Sequence, residues 1–351
     1  MSEFINRPLS RRGFLGGATV AAGLGLTACG GQQQQKTEAP SGKEGGGTIT
    51  AGTAYSTQNY DPSTTSSALA LGVNWQVVEG LYGLNFHDYS TFNELATADP
   101  KKVDDYTFEI TLRDGAKFSD GNEVKADDVV ESFNRSAAKG SVYVPMLSPI
   151  ASVEKKDDKT VTVKTTIANF SLLKERLSIV RVVPASSSQD EMKKQPVGSG
   201  PWMYESISDN TLDLVPNKNY NGATPAKDDK LHYDVLKDPT ARLTAQQDGT
   251  TLAMEMVPAD AVDQLKGAGC TVDAVQGFGV RFAMFNLGKA PWDNVKVRQA
   301  CLYALDTDKM LANAFSGQAE VATSYLPSSF ANYHKASTVY AHDVDKAKKL
   351  I

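Results

Sequence analysis

Residues 106–121 read Tyr-Thr-Phe-Glu-Ile-Thr-Leu-Arg-Asp-Gly-Ala-Lys-Phe-Ser-Asp-Gly. The first half alternates between apolar and polar side chains, with the apolar ones at Tyr106, Phe108, Ile110 and Leu112. This alternation predicts a strand with one buried face. The Asp-Gly pairs at 114–115 and 120–121 predict two turns. From Ala126 the spacing becomes helical, with apolar side chains at Val129, Val130, Phe133 and Ala137.

The same mixture of strand and helix patterns continues along the sequence from residue 48. Further strand patterns lie at residues 48–52, 160–164, 210–215 and 231–236. The clearest later helix is 294–305, whose apolar face would hold Val297, Ala300, Cys301, Ala304 and Leu305. The early strands have the spacing of antiparallel pairs, and the later ones alternate with helices. The sequence therefore predicts a mixed α/β fold class.

Composition excludes several classes of protein. The chain has 351 residues, 41% hydrophobic and 22% charged, which is typical of a globular protein with ample core. Lys plus Arg number 36 against 41 Asp plus Glu, so the basic excess that a nucleic-acid partner needs is missing. Three cysteines are too few for a disulfide scaffold, and the four histidines have no metal-ligand spacing.

The first 47 residues have the pattern of an export and anchoring segment. Ser10-Arg-Arg-Gly-Phe-Leu-Gly16 places an arginine pair before an apolar run that ends near residue 28, too short to span a bilayer. The pair is typical of twin-arginine signals, and Leu26-Thr-Ala-Cys29 resembles a bacterial lipobox. We therefore predict a lipoprotein signal peptide over 1–28, a lipidated Cys29 and a flexible, Gln- and Gly-rich tether over 29–47.

No sequence motif indicates catalysis or a bound cofactor. Gly198-Ser199-Gly200 lacks the further glycine of a phosphate-binding loop, and Pro201 blocks a helix there. It also lacks the glycine two residues before the serine that a nucleophile elbow needs. The Walker motif of an ATPase is absent as well. We therefore predict a non-enzymatic protein with no catalytic residue, no metal site and no cofactor.

Several segments together resemble peptide/nickel-type solute-binding proteins of ABC importers, solute-binding protein family 5. The resemblance begins at Asn59-Tyr-Asp-Pro62 and is strongest over 106–121 with Val124-Lys-Ala-Asp-Asp-Val-Val130. Later matching segments are Pro196-Val-Gly-Ser-Gly-Pro-Trp202, Pro291-Trp-Asp-Asn-Val-Lys-Val-Arg-Gln-Ala300 and Asp343-Val-Asp-Lys-Ala-Lys-Lys-Leu350. All occur in the order found in the family.

The resemblance implies a two-lobed periplasmic-binding-protein-like fold of type II, in which a large first lobe carries an extra subdomain. We expect residues 48–277 to form lobe one and 278–351 to begin lobe two. Relatives continue for roughly half as much sequence again, so we expect a C-terminal truncation that leaves the second lobe incomplete. The segment 196–202 is expected near the crossover between lobes, as a turn or as a ligand contact.

The function implied by the resemblance is that of a lipid-anchored binding protein outside the cytoplasm, on the periplasmic side or the outer surface. It would capture an oligopeptide or similar small solute between the lobes, as a monomer, and deliver it to an ABC permease served by a separate ATPase. Two other interpretations stay open: an extracytoplasmic sensor or scaffold without a permease, and a truncated remnant without function. No nucleic-acid partner is expected.

Candidate ligand contacts follow from the first strand and from the crossover. Tyr55 and Tyr60 flank a polar run, and the resemblance implies that this stretch edges the cleft; the predicted contacts there are Tyr55, Ser56, Thr57, Gln58 and Tyr60. On the crossover, the near-alternate spacing of Phe278, Phe282 and Asn286 predicts that some of them face the cleft. The alternative for each is core packing.

Three local features carry further expectations. Lys125 stands where the family usually has Thr or Ser, which predicts a weak N-cap for the helix that begins at Ala126. Asp293 is expected to cap the later helix, and Arg298 is expected to be structural. Cys270 and Cys301 could form a disulfide in an oxidising compartment, but we expect two free thiols, since Cys301 lies on an apolar helix face.

Overall fold

The computed structural model describes residues 46–86, 88–275, 277, 279–315, 318–328, 330 and 332–351. The described strands, in sequence order, are β1 Thr48–Thr53, β2 Tyr82–Leu84, β3 Thr91–Asn93, β4 Lys101–Lys102, β5 Thr107–Thr111, β6 Ile150–Lys155, β7 Thr160–Thr165, β8 Trp202–Ile207, β9 Thr211–Pro216, β10 Lys230–Val235 and β11 Ala253–Met254. The four further strand predictions, at 48–52, 160–164, 210–215 and 231–236, are confirmed within a residue or two.

Helices lie between and after these strands. They are α1 Ala68–Val77, α2 Ala126–Ala137, α3 Val144–Leu147, α4 Leu173–Leu177, α5 Gln189–Lys194, α6 Pro239–Gln247, α7 Val262–Gly267, α8 Val295–Ala304, α9 Thr307–Phe315 and α10 Val344–Leu350, with a 3-10 turn at Ala259–Ala261. The helices predicted from Ala126 and over 294–305 are confirmed as α2 and α8. Within the described ranges, no helix has the length and apolarity needed to cross a membrane.

A five-stranded sheet with the order β11-β1-β10-β9-β8 joins the beginning of the described region to its middle. β1 runs parallel to both β10 and β11, whereas β8, β9 and β10 are antiparallel neighbours. Helices α1 and α5 help to cover this sheet, and a core forms around Trp202, Leu212 and Leu214. Because β1 is parallel to β11, the carboxyl ends of these two strands meet at one edge of the sheet.

The stretch 106–121 lies in a second sheet, of four strands in the order β4-β5-β7-β6. Phe108, Ile110 and Leu112 are buried against α2, as the alternation predicts. Tyr106 is the exception, since it precedes β5 and is 52% exposed. Alternation fixes the face of a side chain, but burial also needs a partner element above it, and the end of the strand has none.

Asp128 explains why α2 begins at Ala126 although Lys125 is a poor N-cap residue. The Lys125 side chain makes no capping hydrogen bond, but its backbone N–H donates to Asp128 Oδ2 at 2.8 Å. Asp128 Oδ1 accepts a second hydrogen bond, from the Ala185 amide at 2.8 Å. Burial raises the pKa of this carboxyl group, and the two backbone donors oppose that rise. Half of a capping box thus replaces the missing side-chain cap.

The predicted turn Gly198-Ser-Gly200 packs against the end of α1 without any space for side chains. The Gly200 amide donates to Val77 O at 2.9 Å, and Gly198 O accepts from the Ser119 amide at 2.8 Å. A Cβ atom on Gly198 would overlap the carbonyl group of Val77. The glycines are therefore required by close backbone approach, and the turn holds α1 to the segment that follows β5.

Replacing Gly198 by alanine should lower the free energy of unfolding by about 1–3 kcal/mol, because an added methyl group must displace backbone and not a flexible side chain. Urea unfolding followed by circular dichroism measures this loss. Gly267→Ala is the matched control, since nothing lies within 4 Å of a Cβ atom there. Equal stability of the two variants would contradict the close packing.

A buried ionic cluster of Glu79, Arg113, Glu94 and Arg181 lies where α1 gives way to β2, and the sequence patterns did not predict it. Both terminal NH groups of the Arg113 guanidinium donate to Glu79, each at 3.1 Å. Arg181 Nη1 donates to Glu94 Oε2 at 2.8 Å, and its guanidinium group lies 3.1 Å from the centre of the Trp75 ring. The positive charges of the two arginines thus compensate the negative charges of the two carboxylates in a largely buried position.

The segment after residue 290 is held together by α8 and α10. The Asp343 amide donates to Tyr303 O at 2.7 Å, Tyr303 packs edge-on against Tyr340, and the ammonium group of Lys346 lies over the Tyr303 ring. The predicted cap of α8 is wrong by one residue, because the side chain of Asn294 and not Asp293 accepts from the Lys296 amide.

Two other local predictions about the later part of the sequence are confirmed. Arg298 is structural, since it donates to the carbonyl oxygens of Trp292 and Asp293 at 2.6 and 3.2 Å. Cys270 and Cys301 are both free thiols.

Candidate functional site

A groove of about 300 Å³ lies at the carboxyl ends of β1 and β11, beside α1. Its lining comes from four places in the sequence: Ala51, Gly52 and Thr53; Ala68, Leu69, Gly72, Val73 and Gln76; Tyr233; and Ala253, Met254 and Glu255. In open α/β sheets, ligands bind in crevices beyond the carboxyl ends of parallel strands. The position of the groove in the sheet thus makes it the leading candidate for a binding site.

Two of the α1 residues that line the groove, Ala68 and Gly72, are small and leave space beside the helix. Ala68, Gly72 and Gln76 lie four residues apart, so they follow one face of the helix. A Cβ atom placed on Gly72 would have no other atom within 4 Å. The helix is thus a wall whose central position carries no side chain, which leaves room for a solute.

Four polar side chains project into or border this space. Thr53 Oγ1 donates to Glu255 Oε1 at 2.5 Å, and the Ala54 amide donates to the same oxygen at 3.2 Å. On the opposite wall, Gln76 Nε2 donates to the hydroxyl group of Tyr233 at 2.9 Å. Burial raises the pKa of Tyr233, opposed by the hydrogen bond from Gln76 and reinforced by the charge of Glu255. The hydroxyl group therefore stays neutral at physiological pH.

A larger cavity of about 530 Å³ lies between the end of α2 and the start of α5. Several of its polar groups already take part in hydrogen bonds: the carboxylate of Asp61 accepts from Ser63 and Thr64, and the hydroxyl group of Ser188 caps α5. Arg135 in its wall donates to Glu131 and to Ala185 O. The groove beside β1 is nevertheless the stronger candidate despite its smaller volume, because it lies at the carboxyl ends of two parallel strands and the cavity does not.

None of the predicted ligand residues that the structure describes belongs to the lining of the groove; the run 55–58 follows almost directly after Thr53. Ser56 is exposed and Tyr55 is half-buried. Thr57 Oγ1 accepts from the Asn59 amide, and Gln58 Nε2 donates to Asp209 at 2.6 Å, so both side chains stabilise the loop itself. Ser56 and Gln58 are the exposed members of this run, and Tyr55 packs in part against the core.

Tyr60 lies in the core. Its side chain is 3% exposed, and its ring packs edge-on against Tyr204 with the ring centres 5.8 Å apart. Burial, with a contribution from the charge of Asp209, raises the pKa of Tyr60 to about 12. For Tyr60, core packing therefore describes the side chain better than contact with a ligand. An aromatic ring at the end of a loop contributes more to stability when it covers the sheet.

The predicted crossover residues differ in what the structure describes of them. Phe278 lies outside the described residues, as does the predicted lipidation site Cys29. Phe282 is 74% exposed, and Asn286 Oδ1 accepts from the Gly288 amide at 3.1 Å. The polar side chains of the groove were not predicted from the sequence: Thr53, Gln76, Tyr233 and Glu255. No sequence pattern brings these four residues together, because they lie on β1, α1 and β10 and directly after β11.

Comparison with known proteins places this geometry in a family. The family profile described as bacterial extracellular solute-binding proteins, family 5 Middle, matches residues 92–351. Heme-binding protein A of Haemophilus influenzae is 32% identical over 303 residues, covering 76% of this chain and 55% of that protein. A putative ABC transporter peptide-binding protein of Brucella ovis is 29% identical over 265 residues, covering 70% of this chain and 48% of that protein.

Solved structures show the same fold. The oligopeptide-binding protein AppA of Bacillus subtilis, in complex with a nonapeptide, aligns with a TM-score of 0.74 at 22% identity, covering 88% of this chain and 64% of that one. MoaA of Agrobacterium tumefaciens R10, in complex with mannopinic acid, aligns with a TM-score of 0.78 at 24% identity, covering 87% of this chain and 64% of that one. The fold is therefore the mixed α/β, two-lobed periplasmic-binding-protein type that the sequence predicted.

The chain spans about half the length of the curated relatives it matches, 55% and 48% for the two named above. The family match nevertheless takes in well over half of the sequence and includes β5, α2 and every later element. The family consists of solute-binding proteins and is not an enzyme family. By this match, the chain belongs to the bacterial extracellular solute-binding proteins, family 5.

Proposed function

We propose that this protein captures a small solute outside the cytoplasm, an oligopeptide or a compound of similar size, and delivers it to the permease of an ABC importer. The observation that carries the proposal is the groove at the carboxyl ends of β1 and β11, in a member of the solute-binding family. A separate ATPase would drive transport, and the binding protein would act as a monomer.

An extended peptide suits the geometry of the groove. β11 is the edge strand of the five-stranded sheet, and both of its residues, Ala253 and Met254, line the groove. An edge strand offers unpaired backbone N–H and C=O groups, to which a peptide can add as a further strand. Hydrogen bonds of that kind do not depend on the side chains of the peptide, which suits a protein that accepts peptides of many sequences. Relatives described as peptide-binding proteins support the same choice.

Two lobes would close over the solute. We propose residues 48–277 as the first lobe, with its extra subdomain in the sheet β4-β5-β7-β6, and residues 278–351 as part of the second. We propose Ser56 and Phe282, which are exposed, and the half-buried Tyr55 as solute contacts, whereas Tyr60 supports the loop from within. Closure about a hinge between such lobes is a common way of enclosing ligands.

The binding test is a calorimetric titration of the purified protein with tripeptides to pentapeptides. A nickel–histidine chelate, an opine and heme form the comparison set, because relatives bind such different solutes. We expect saturable binding of at least one peptide. Saturation by another class alone would replace the oligopeptide by that class, and no binding of any solute would contradict the proposed capture.

We also propose that Cys29 carries a lipid anchor after removal of a twin-arginine signal. Cys29→Ser should abolish incorporation of labelled palmitate and release the protein from the membrane fraction, because the thioether that holds the acyl chains cannot form. Cys270→Ser is the matched control and should keep both properties, since Cys270 lies in the folded part. Unchanged labelling of the Cys29 variant would contradict the anchor.

A further inference from the structure

Glu255 is the only charged residue among the described residues that line the groove. Its Oε1 atom already accepts two hydrogen bonds, from Thr53 Oγ1 and from the Ala54 amide. No hydrogen bond to its other oxygen, Oε2, forms within the described part of the protein. A carboxylate has room for about four hydrogen bonds, so half of this group remains available to a solute.

The backbone around Glu255 is held in an uncommon conformation. Met256 has φ of +55°, the left-handed region that a non-glycine residue adopts at a cost. Arg242, 4% exposed, donates to Met256 O at 3.3 Å, and its other hydrogen bonds go to the carbonyl oxygens of Leu236 and Lys237 at 2.6 and 3.0 Å. Such local strain concentrates at ligand clamps and active sites.

These two observations describe a carboxylate fixed in position before a ligand arrives. Thr53 and Ala54 hold one of its oxygens, and Arg242 holds the backbone of the next residue. The other walls of the groove are neutral: apolar at Leu69 and Val73, and uncharged polar at Gln76 and Tyr233. A positively charged group entering this space therefore meets one fixed negative charge and no competing cation among the described lining residues.

We infer that Glu255 selects solutes carrying a protonated amine or guanidinium group, which would bind Oε2 inside the groove. The inference rests on the proposed function, since it assigns a chemical class to the solute of that same site. A primary amine supplies three donors and a guanidinium group five, and charge-assisted hydrogen bonds to a carboxylate are about twice as strong as neutral ones. The cation can be the amino terminus of a peptide or a basic side chain.

Three probes distinguish these sources: tetra-alanine, its N-acetyl form, and an N-acetyl tetrapeptide with one lysine. Calorimetry with the whole protein measures each affinity for the wild type, for Glu255→Gln and for the control Asp260→Asn. Glutamine keeps an oxygen that can accept from Thr53 and Ala54 but loses the charge. Asp260→Asn removes the same charge from an exposed position outside the lining.

We expect Glu255→Gln to weaken the binding of tetra-alanine or of the lysine probe by about tenfold or more, with the N-acetyl form unaffected. The control should bind all probes as the wild type does. If the three probes bind the wild type equally, or if Glu255→Gln binds the cationic probe unchanged, the inference is overturned while the proposed capture of peptides stands. If no solute binds the wild type, both are overturned. Thermal unfolding of each variant establishes that the fold is retained.

Discussion

Replacing Arg181 by methionine should lower the free energy of unfolding by about 3–5 kcal/mol, the cost of removing one partner of a buried ion pair. Arg181 and Glu94 have side chains that are 5% and 11% exposed, so water cannot take the place of the lost partner. The substitution leaves the carboxylate of Glu94 with the Gly80 amide as its remaining donor, at 2.6 Å. Urea unfolding at neutral pH measures the loss.

Each charge in this cluster depends on the others. Burial lowers the pKa of Arg181, opposed chiefly by Glu94, and burial raises the pKa of Glu79, opposed by Arg113. Arg181 also donates to Ser178 O at 2.9 Å and stacks on Trp75, so it joins α1 to the segment before Val182. Methionine can fill the volume of the arginine but supplies none of these donors.

A double variant and a surface pair complete this experiment. Arg181→Met with Glu94→Gln should recover part of the loss, because no unpaired charge remains buried while an oxygen still accepts from Gly80. Lys164→Met breaks the Lys164–Glu154 pair, whose side chains are 50% and 52% exposed, and should cost no more than about 1 kcal/mol. An equally small loss for Arg181→Met would show that the buried cluster does not stabilise the fold.

Replacing Gly72 by phenylalanine should reduce solute affinity by about 100-fold or more, which is about 2.7 kcal/mol of binding free energy. The new ring would occupy the groove of about 300 Å³, because no atom lies within 4 Å of the position of its Cβ. Stability should be preserved, since glycine inside a helix such as α1 is itself destabilising by about 0.5–1 kcal/mol relative to alanine. Calorimetry with the best-binding peptide, beside urea unfolding, measures both quantities.

Gly267→Phe is the matched control for this substitution. Gly267 ends α7, also has no atom within 4 Å of a Cβ position, and lies outside the lining of the groove. It should leave binding unchanged. Full affinity in Gly72→Phe would mean that the solute binds elsewhere, for example in the cavity beside Arg135 and Asp61.

Much of the fold could be predicted because its signals are local. Alternation at 106–112 and helical spacing from Ala126 each depend on neighbouring residues, and β5 and α2 lie close to the predicted bounds. Glycines in the segment 196–202 were predicted as a turn, but their purpose became clear only with the end of α1 packed against them. The spacing of residues in the sequence does not reveal which distant part of the backbone packs against these glycines. That information comes only from the tertiary structure.

The candidate site was less predictable for the same reason. Its lining combines residues from β1, α1, β10 and β11, which are far apart in the sequence and are joined by parallel pairing of β1 with two later strands. Tyr60 is an aromatic residue of the kind expected in a ligand contact, but its side chain lies in the core. Glu255 follows a strand of two residues, too short to give a pattern. Neither assignment can be made before the sheet is known.

Hydrogen–deuterium exchange with and without a bound peptide tests the location of the site most directly. If the solute lies in the groove, exchange should slow at residues 51–54, 68–76 and 253–256, because the solute covers or pairs with their amide groups. Segments in the four-stranded sheet, such as 160–165, serve as the unchanged reference. Slowed exchange confined to residues 61–64 and 135–141, with none at the groove, would contradict the account.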